Sequence, residues 1–458
     1  MRVTVMGLGL NGGGVESARF FARKGAEVTV TDLRGADVLA PSIEKLEGLP
    51  IRYVLERHEF ADFENADIVI KNPAVRLDSP YLAKARRIET DMSVFLSLCP
   101  GPVLAVTGSK GKSSTVSALH SGLQAVYPGA CRGGNITVSP LSFLDGLCRE
   151  DPVVLELSSW QLGDIKGKGL LKPAVAIITN IFPDHMDRYN NDMKAYVADK
   201  KIIYEGQDRT CATLYLYGDR WGKIFAGETP GNPFAFSWTP LPEGVRGAWL
   251  ENGEGFVRLE KDAPAVHVLP RELQIVGTHQ KINLLAAGLA LSLFGIDAQL
   301  IRERLACFPG VEHRLELCGE KNGVRFYNDS AATIPEALCA AVRSFPGMPL
   351  SLIAGGTDKN LHFGVFAELA GIPKNIYLLE GTATLKLQGL LDSLNVPYKG
   401  PYSSLEQAFA GASGEAESGG VVVFSPGCTS YGMFLDEFDR GRRFKELVRK
   451  ISDHSTSL

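Results

Sequence analysis

The chain has 458 residues, with 45% hydrophobic and 22% charged residues and a formal net charge of −4. Its length suggests roughly three domains, and its composition is typical of a folded protein with hydrophobic cores. Because lysines and arginines are scattered rather than clustered, the sequence excludes a broad basic surface, and we expect neither nucleic acid nor a membrane as a partner.

The chain opens with a βαβ unit of Rossmann type. An apolar strand at residues 2–6 leads into a loop with Gly7, Gly9 and Gly12, and a helix and a second strand follow, ending at Asp32. This spacing fits a dinucleotide-binding fingerprint, although the same glycines also suit a plain tight turn. Since a second phosphate loop follows, we interpret the first as a site for a nucleotide diphosphate rather than for a hydride-transfer cofactor.

The same glycines interrupt the apolar run near the start of the chain. We therefore expect no signal peptide, no membrane-spanning segment and a cytoplasmic location. The eight cysteines occur singly, without a C-x-x-C pair. This usage favours reduced thiols over zinc ligands or disulfides.

A second α/β unit follows a third strand at 68–70 and a linker at 99–102. A strand at 103–106 runs into a helix over 112–125 through the loop Gly108-Ser109-Lys110-Gly111-Lys112-Ser113-Ser114. Backbone N–H groups of such a loop surround phosphate oxygens, Lys112 adds a positive charge, and Ser113 can ligate Mg2+. Because Val106 stands where the longer phosphate-loop pattern has glycine, the segment predicts a nucleoside-triphosphate site of the shorter G-x-x-G-K-S form.

Polar groups also follow two further buried strands. Glu156 lies near the end of the first, where an unpaired carboxylate is costly and a cation such as Mg2+ makes it tolerable. Asp184, His185 and Asp187 follow the second, at the edge of an open α/β sheet where ligands bind. The alternatives are an exposed or capping Glu156 and a structural histidine in a turn.

The rest of the chain completes the α/β pattern, and a third unit begins near Phe308-Pro309-Gly310. The further predicted elements are strands at 153–157, 174–179, 350–354, 375–379 and 421–424, peripheral β-structure at 229–270, and helices at 281–294 and 334–344. We therefore predict an α/β protein of three domains: N-terminal Rossmann-like (1–98), central P-loop ATPase-like with a mostly parallel sheet (99–311) and C-terminal Rossmann-like (312–458).

Several polar segments carry little signal by themselves. Lys200 and Lys201 fit a solvated helix face, and His313, Arg314 and residues 327–330 fit ordinary loops. Periodicity alone gives them no further role.

In this order, the pieces resemble the Mur ligase family, the ATP-dependent amide-forming enzymes of peptidoglycan precursor synthesis. The run Asp-His-Met-Asp-Arg-Tyr at 184–189 and the run Ser-Pro-Gly-Cys-Thr-Ser at 425–430, with Phe434 and Arg440-Gly441, are similar to the members that add D-glutamate. The Asp-Asn-Pro-Arg motif of the diaminopimelate- and lysine-adding members is absent. The resemblance spans essentially the whole chain. It implies a monomeric cytoplasmic ligase that joins D-glutamate to UDP-N-acetylmuramoyl-L-alanine through an acyl phosphate.

The resemblance also assigns the UDP-linked substrate to the first domain, ATP to the central domain and the amino acid to the third. It implies four catalytic residues, Lys112, Glu156, His185 and Lys200. Two Mg2+ ions are implied at Ser113, Glu156, His185 and Lys200, the lysine acting as a carbamate whose anionic group supports a metal. The implied ATP-binding residues are Gly108, Ser109, Lys110, Gly111, Lys112, Ser113, Ser114, Asn283, Arg314 and Asp329.

Two further sets of contacts follow from the same resemblance. Those to the UDP-linked substrate are Leu10, Asn11, Asp32, Arg34, Asn135 and His185. Those to D-glutamate are Thr333, Lys359, Ser430, Tyr431, Phe434 and Phe438.

Three features depart from the family pattern. Lys110 stands where the loop commonly has asparagine, and Ala331 stands where D-glutamate-adding members often have lysine. The aromatic spacing between residues 430 and 440 also differs, so that Phe434 and Phe438 are alternatives for one apolar contact.

Two other functions stay open at this point. One is another amide ligase of the same superfamily, including folylpolyglutamate synthase, and a panel of amino acids with product mass as the readout separates it. The other is a nucleotide-binding protein without turnover, which would bind ATP and form no ADP.

Overall fold

The computed structural model describes residues 1–10, 12–136, 138–184, 186, 188–359 and 361–453. The described residues form three β-sheets flanked by helices, which confirms the predicted α/β class. Among these residues, no helix has both the length and the apolar character needed to cross a membrane.

The first sheet is parallel throughout. Its strands are β1 (Arg2–Met6), β2 (Glu27–Asp32), β3 (Ile51–Leu55), β4 (Ile68–Lys71) and β5 (Ile88–Glu89), in the spatial order β3-β2-β1-β4-β5. Its helices are α1 (Gly13–Arg23), α2 (Ala36–Ile43), α3 (Phe60–Glu64) and α4 (Asp91–Leu98). The sequence did not predict β3, because this edge strand is only half-buried and lacks a continuous apolar run.

The second sheet has nine strands in the order β14-β13-β12-β11-β10-β9-β6-β8-β7. The strands are β6 (Val103–Thr107), β7 (Cys131–Gly134), β8 (Val153–Glu156), β9 (Val175–Ile178), β10 (Ala212–Leu216), β11 (Asn232–Ser237), β12 (Gly247–Glu251), β13 (Glu254–Arg258) and β14 (Val266–Leu269). Among the described strands of this sheet, only β13 pairs antiparallel with its neighbours, β12 and β14, so the sheet is mostly parallel, as predicted. The helices that accompany it in the chain are α5 (Lys112–Gln124), α6 (Ser159–Asp164), α7 (Met193–Glu205), α8 (Arg220–Glu228), α9 (Thr278–Leu293) and α10 (Ala298–Ala306).

The third sheet has six strands in the order β15-β16-β20-β17-β18-β19, with β15 antiparallel to β16. The strands are β15 (Glu316–Lys321), β16 (Val324–Asn328), β17 (Leu350–Ala354), β18 (Asn375–Leu379), β19 (Lys399–Tyr402) and β20 (Val421–Phe424). The helices are α11 (Pro335–Val342), α12 (Thr382–Ser393), α13 (Leu405–Gly414) and α14 (Glu437–Asp453).

The chain forms two compact units. The first consists of residues 1–271 and 282–305 and contains the first two sheets, and the second consists of 272–281 and 306–458 and contains the third sheet. The predicted boundary 98/99 falls between α4 and β6, and the boundary 311/312 falls between α10 and β15. As exact domain limits, both stay predictions.

The centre of the second sheet positions the site. Strands β6, β8 and β9 are almost fully buried, and their sequences are continuous apolar runs, as expected for parallel strands covered on both faces. In register, Val106 lies beside both Glu156 and Ile177. The loops that leave these three strand ends therefore converge at one edge of the sheet, where α/β proteins bind ligands.

Candidate active site

The phosphate loop is held by the two residues that follow β9. Asn180 accepts one hydrogen bond at its carbonyl oxygen from the Ser109 N–H and one at Oδ1 from the Lys110 N–H, both of 2.8 Å. The Thr179 hydroxyl donates to the Lys110 carbonyl oxygen at 2.6 Å. We did not predict Thr179 or Asn180 as site residues. The sequence signal was present, since polar side chains directly after a buried strand lie at the functional edge of such a sheet.

Lys112 lies at the mouth of this loop. It is the first residue of α5, and its ammonium donates to the carbonyl oxygens of Gly108 at 2.9 Å and Ser109 at 3.1 Å. Ser113 and Ser114 follow in the first turn of the helix, where backbone N–H groups and the helix dipole favour an anion. The loop thus combines a helix N-terminus with a lysine side chain.

Ser109 shapes the loop from inside the protein. Its hydroxyl donates to the Phe182 carbonyl oxygen at 2.8 Å, accepts from the Phe182 N–H at 2.9 Å and lies 2.9 Å from the Tyr196 hydroxyl. Ser109 was predicted to bind ATP; in the structure its N–H is bonded to the Asn180 carbonyl oxygen and its hydroxyl to Phe182, so its side chain supports the loop from inside.

Gly111 requires its lack of a side chain. Its φ is +86°, and a Cβ there would lie 2.3 Å from Asn283 Oδ1, so the predicted nucleotide residue Asn283 packs against the loop. Gly218 has a similar φ of +82° but open space around it. We expect Gly111→Ala to destabilise the protein by about 1–3 kcal/mol more than Gly218→Ala, because only the first displaces a neighbour. Thermal unfolding measures the difference, and equal losses would contradict the close packing of Asn283.

Glu156 ends β8 and is only 2% exposed. Its Oε1 accepts a hydrogen bond from Asn135 Nδ2 at 3.2 Å, which joins two predicted site residues. Its other oxygen, Oε2, is buried and has no hydrogen-bond partner among the residues that the structure describes. A buried carboxylate oxygen without a donor is costly, and a cation would satisfy it. Glu156 is therefore neither exposed nor a helix cap.

Lys200 corrects the interpretation made from periodicity alone. It lies on α7 but is 1% exposed, whereas a solvated helix face was expected for Lys200 and Lys201. Its ammonium donates to the Gly108 carbonyl oxygen at 2.9 Å and lies 4.6 Å from the centre of the Tyr196 ring. Burial, and then the neighbouring Lys112 ammonium, hold the pKa of Lys200 well below its usual range. The expectation failed because it treated the two lysines as one exposed face, whereas Tyr196, Val197, Ile203 and Tyr204 lie three or four positions from Lys200 and share its buried face.

A cavity of about 350 Å3 opens beside these groups within the first compact unit. One wall comes from the second sheet and its loops, and the other from the first sheet. The lining residues are Gly108, Lys112, Gly134, Asn135, Ser139, Ser158, Ser159, Trp160, Gln161, Asp184, Tyr196 and Lys200 on the first wall, and Gly13, Asn72, Pro73, Ala74 and Asp91 on the second. The predicted residues His185 and Asn11 lie outside the described residues.

Asp91 was not predicted as part of this site. It begins α4, it is buried, and its Oδ2 accepts a hydrogen bond from the Ser139 hydroxyl at 2.8 Å. Burial raises the pKa of Asp91. Ser139 lies in the segment between β7 and β8 of the second sheet. This hydrogen bond therefore links the two walls of the cavity.

A buried ion pair also links the two walls. Lys71, at the end of β4, places its ammonium 2.8 Å from Asp164 Oδ2 on α6, and the side chains are 0% and 3% exposed. The same ammonium donates to the carbonyl oxygens of Asn72 at 3.3 Å and Val75 at 2.8 Å. Lys71 therefore holds the loop that follows β4, and this loop belongs to the cavity wall formed by the first sheet.

The glycine loop of the first sheet is organised by Asp32. This carboxylate accepts hydrogen bonds from the Gly9 N–H at 3.1 Å, the Arg34 N–H at 3.0 Å and the Arg34 Nε at 3.2 Å. Burial raises the pKa of Asp32, but these hydrogen bonds outweigh it and hold the pKa below its ordinary value. The predicted substrate residues Asp32 and Arg34 thus lie together, and Leu10 is exposed beside the loop.

In the second unit, Asp329 is buried at the end of β16. Its Oδ1 accepts from the Leu315 N–H at 3.1 Å and its Oδ2 from the Ser425 hydroxyl at 2.7 Å. Burial raises the pKa of Asp329 to about 7. The other predicted nucleotide residue of this unit, Arg314, is exposed.

The predicted amino-acid residues of this unit differ in exposure. Ser430 is buried, Thr333 is half-buried, and Lys359 and Tyr431 are exposed. Phe434 packs in a hydrophobic core, whereas Phe438 is 37% exposed. Of the two alternatives, Phe438 is the aromatic side chain open to a ligand.

Arg440 holds the same region together although it is fully buried. It donates to the Ser330 hydroxyl at 3.0 Å, to the Ser330 carbonyl oxygen at 2.7 Å and to the Cys428 carbonyl oxygen at 3.1 Å. The turn after β16 and the segment before Ser430 are therefore tied to one side chain.

Comparison with known proteins agrees with this arrangement. The model of the Mur ligase middle domain matches residues 106–291, and that of the Mur ligase MurD-like, N-terminal domain matches residues 1–93. The UDP-N-acetylmuramoylalanine–D-glutamate ligase of Roseiflexus sp. (strain RS-1) is 42% identical over 98% of this chain and 99% of its own. That of Treponema pallidum (strain Nichols) is 40% identical over 98% of this chain and 97% of its own.

The fold is also similar to that of a solved structure, the UDP-N-acetylmuramate–alanine ligase of Thermotoga maritima. The TM-score is 0.63 at 21% identity, covering 99% of this chain and 100% of the other. With two domain models and near full-length relatives in agreement, the chain belongs to the Mur ligase family.

Proposed function

We propose that this protein is an ATP-dependent ligase that joins D-glutamate to UDP-N-acetylmuramoyl-L-alanine in cytoplasmic peptidoglycan precursor synthesis. The observation that carries the proposal is the cavity in which Lys112 and Lys200 face the loop that follows β4. ATP bound at the phosphate loop and an acceptor bound by the glycine loop at Asp32 would meet there. The names of the relatives from Roseiflexus and Treponema support the choice of acceptor and amino acid.

The proposed reaction has two steps. The alanyl carboxylate attacks the γ-phosphorus of ATP, the bond to ADP breaks, and an acyl phosphate forms. The amine of D-glutamate then attacks the acyl carbon, phosphate leaves, and the nitrogen loses a proton to give the amide. Because both partners of the first step are anions, positive groups must lie at the phosphates, and Lys112 and the N-terminus of α5 are placed to supply them.

The residues present fit divalent cations. Glu156 offers a buried oxygen that lacks a partner among the described residues, and the Ser113 hydroxyl belongs to the helix turn beside the loop. We assign two Mg2+ ions to Ser113, Glu156, His185 and a carbamate on Lys200. When bound, Mg2+ neutralises charge on the phosphate oxygens.

The carbamate is proposed from the surroundings of Lys200. Both the Lys200 and the Lys112 ammonium groups contact the Gly108 carbonyl oxygen, so two cations crowd one acceptor. Addition of CO2 to the neutral Lys200 amine forms an N–C bond and releases one proton. The product is an anion, which removes the repulsion and provides a metal ligand.

We expect Lys200→Ala to lose turnover and to recover part of it with a small carboxylic acid, because the acid replaces the missing carboxylate. Steady-state ADP formation with and without acetate measures the recovery, and thermal unfolding shows that the variant is folded. Lys201→Ala is the matched control, since Lys201 is only half-buried and pairs with Glu228 at 2.6 Å. Unchanged turnover in Lys200→Ala would eliminate the carbamate role.

The amino-acid contacts are proposed for the second unit. We assign the carboxylates of D-glutamate to Lys359, Thr333 and Ser430, with Tyr431 and the exposed Phe438 beside them. Since Ala331 contributes no charge, Lys359 is the proposed cationic contact. Arg314 and Asp329 are assigned to the nucleotide.

A substrate panel tests the function directly. Purified protein receives ATP, Mg2+, UDP-N-acetylmuramoyl-L-alanine and one amino acid at a time, and both phosphate release and product mass are measured. We expect phosphate release and the amide product with D-glutamate. No release would overturn the ligase assignment, and a product with another amino acid would overturn only the choice of D-glutamate.

A further inference from the structure

Lys110 replaces the asparagine common in this loop, and the protein fixes its backbone on both sides. Its N–H donates to Asn180 Oδ1 at 2.8 Å, and its carbonyl oxygen accepts from the Thr179 hydroxyl at 2.6 Å. The side chain is 55% exposed, and its ammonium lies 3.3 Å from Asp184 Oδ2. The backbone of Lys110 is therefore fixed, whereas its side chain is exposed and its ammonium pairs with the Asp184 carboxylate.

The pair between Lys110 and Asp184 is easy to exchange. Such a pair contributes little stability, because water reaches the Lys110 side chain and two side chains must be ordered to form it. Asp184 lines the same cavity as Gly108 and Lys112, so the carboxylate lies on the phosphate side of the loop. A triphosphate bound there presents several anionic oxygens, which bind an ammonium more strongly than the single carboxylate of Asp184, itself 27% exposed, does.

We propose that Lys110 and Asp184 form a latch that nucleotide opens. Lys110 rests on Asp184 in the nucleotide-free loop and moves to the phosphate oxygens when ATP binds, and Asp184 is then released from Lys110 at the cavity wall. The inference rests on the proposed function, because it assumes that this loop binds ATP. No covalent bond changes, and Lys110 keeps an anionic partner in both states.

The latch gives the loop a second phosphate-binding cation besides Lys112. This cation partly takes the place of metal charge, so the chain should bind ATP without Mg2+ more tightly than the same loop with asparagine. The gain should shrink as ionic strength rises, because the contact lies near the surface.

A double-mutant cycle tests the latch. Calorimetric titration with ATP in EDTA is performed on the full chain, on Lys110→Asn, on Asp184→Asn and on the double variant. We expect Lys110→Asn to weaken binding about 5–10-fold, a size typical of a coupling between sites. Asp184→Asn should tighten binding severalfold when Lys110 is present, because Lys110 is then released, and should change it less than about twofold when Lys110 is absent.

The matched control is Lys172→Asn. Lys172 is equally exposed and pairs with Asp208 at 2.5 Å, but it precedes β9, at the strand end opposite to the loop. Its replacement should leave the affinity for ATP within about twofold. A loss as large as that of Lys110→Asn would overturn the latch in favour of a general charge effect.

Two other results would also overturn the latch. One is equal tightening by Asp184→Asn in both backgrounds, which would indicate simple repulsion of phosphate by the carboxylate. The other is no measurable binding of ATP by the unchanged protein in EDTA. The double-mutant cycle measures binding of ATP and not turnover, whereas the substrate panel measures phosphate release and product mass. Failure of the latch and failure of the ligase assignment therefore appear in different measurements.

Discussion

Glu156→Gln should lower turnover by about 10²–10³-fold, the loss typical when one group that stabilises transition-state charge is removed. The same variant should be at least as stable as the unchanged protein in EDTA. Glu156 is buried, Oε2 lacks a partner among the described residues, and an amide of the same shape keeps the contact of Oε1 with Asn135. Loss of a buried charge whose Oε2 lacks a hydrogen-bond donor among the described residues therefore offsets any lost interaction.

The effect of Mg2+ on the stability of the protein distinguishes a metal ligand from a structural carboxylate. A ligand present at a hundredfold excess over its dissociation constant stabilises the folded state by about 2.7 kcal/mol. Thermal unfolding with EDTA and with Mg2+ should show this gain in the unchanged protein and a smaller one in Glu156→Gln. Equal gains in both proteins would contradict a metal at Glu156.

Glu89→Gln is the control variant, for which we expect a loss of stability where Glu156→Gln shows none. Glu89 is also buried, but its oxygens contact Ser93 at 2.6 Å, Lys168 at 2.9 Å and Arg87 at 2.9 Å. Glu89→Gln removes a charge that already has partners, so it should destabilise the protein in EDTA and in Mg2+ alike. If Glu156→Gln also destabilised the protein equally in EDTA and in Mg2+, Glu156 would be a structural carboxylate like Glu89.

The loops at strand ends were predictable because their chemistry is local. The types and spacing of Gly108, Gly111 and Lys112 are typical of a phosphate loop, and Glu156 ends a short apolar run of the kind expected for a buried strand. The α/β class follows from the same alternation of apolar strands and helical patterns, and the structure confirms it.

The supporting residues were not predictable because their roles depend on contacts between distant segments. Lys200 reaches the Gly108 carbonyl oxygen across 92 residues of chain. Asp91 is bonded to Ser139 across 48 residues. In each case the side chain reaches a segment that is distant in the sequence, and the spacing of residues within one element does not show which segment that is. The resemblance to a family singled out Lys200 as a candidate, and the sequence analysis did not single out Lys71.

Lys71 and Asp164 show how the two walls of the cavity depend on one another. Their charged groups are 2.8 Å apart and almost completely buried, and Lys71 also holds the loop carbonyls of Asn72 and Val75. Burial lowers the pKa of Lys71 and raises that of Asp164, so each charge is maintained by the other. Removing one partner leaves the other as an uncompensated buried group.

We expect Lys71→Met to lower the free energy of unfolding by about 3–5 kcal/mol, the usual cost of breaking a buried ion pair. The double variant Lys71→Met/Asp164→Leu should be more stable than Lys71→Met, because no buried charge is left unpaired. It should not regain full stability, since the carbonyls of Asn72 and Val75 lose their donor. Urea unfolding of the single and double variants measures both differences.

The loss in Lys71→Met should also grow as the pH rises from 5 to 8. Without Lys71 the buried Asp164 keeps its proton in the folded state, while the unfolded chain loses it above a pKa of about 3.9. The folded state then binds more protons than the unfolded state, so stability falls with pH until the folded pKa is passed. Arg76→Met is the control, because its pair with Asp78 is 67% exposed on both sides and lies in the same loop. Its loss should be much smaller than that of Lys71→Met at each of these pH values, and a similar loss in both variants would refute a special role for the buried pair.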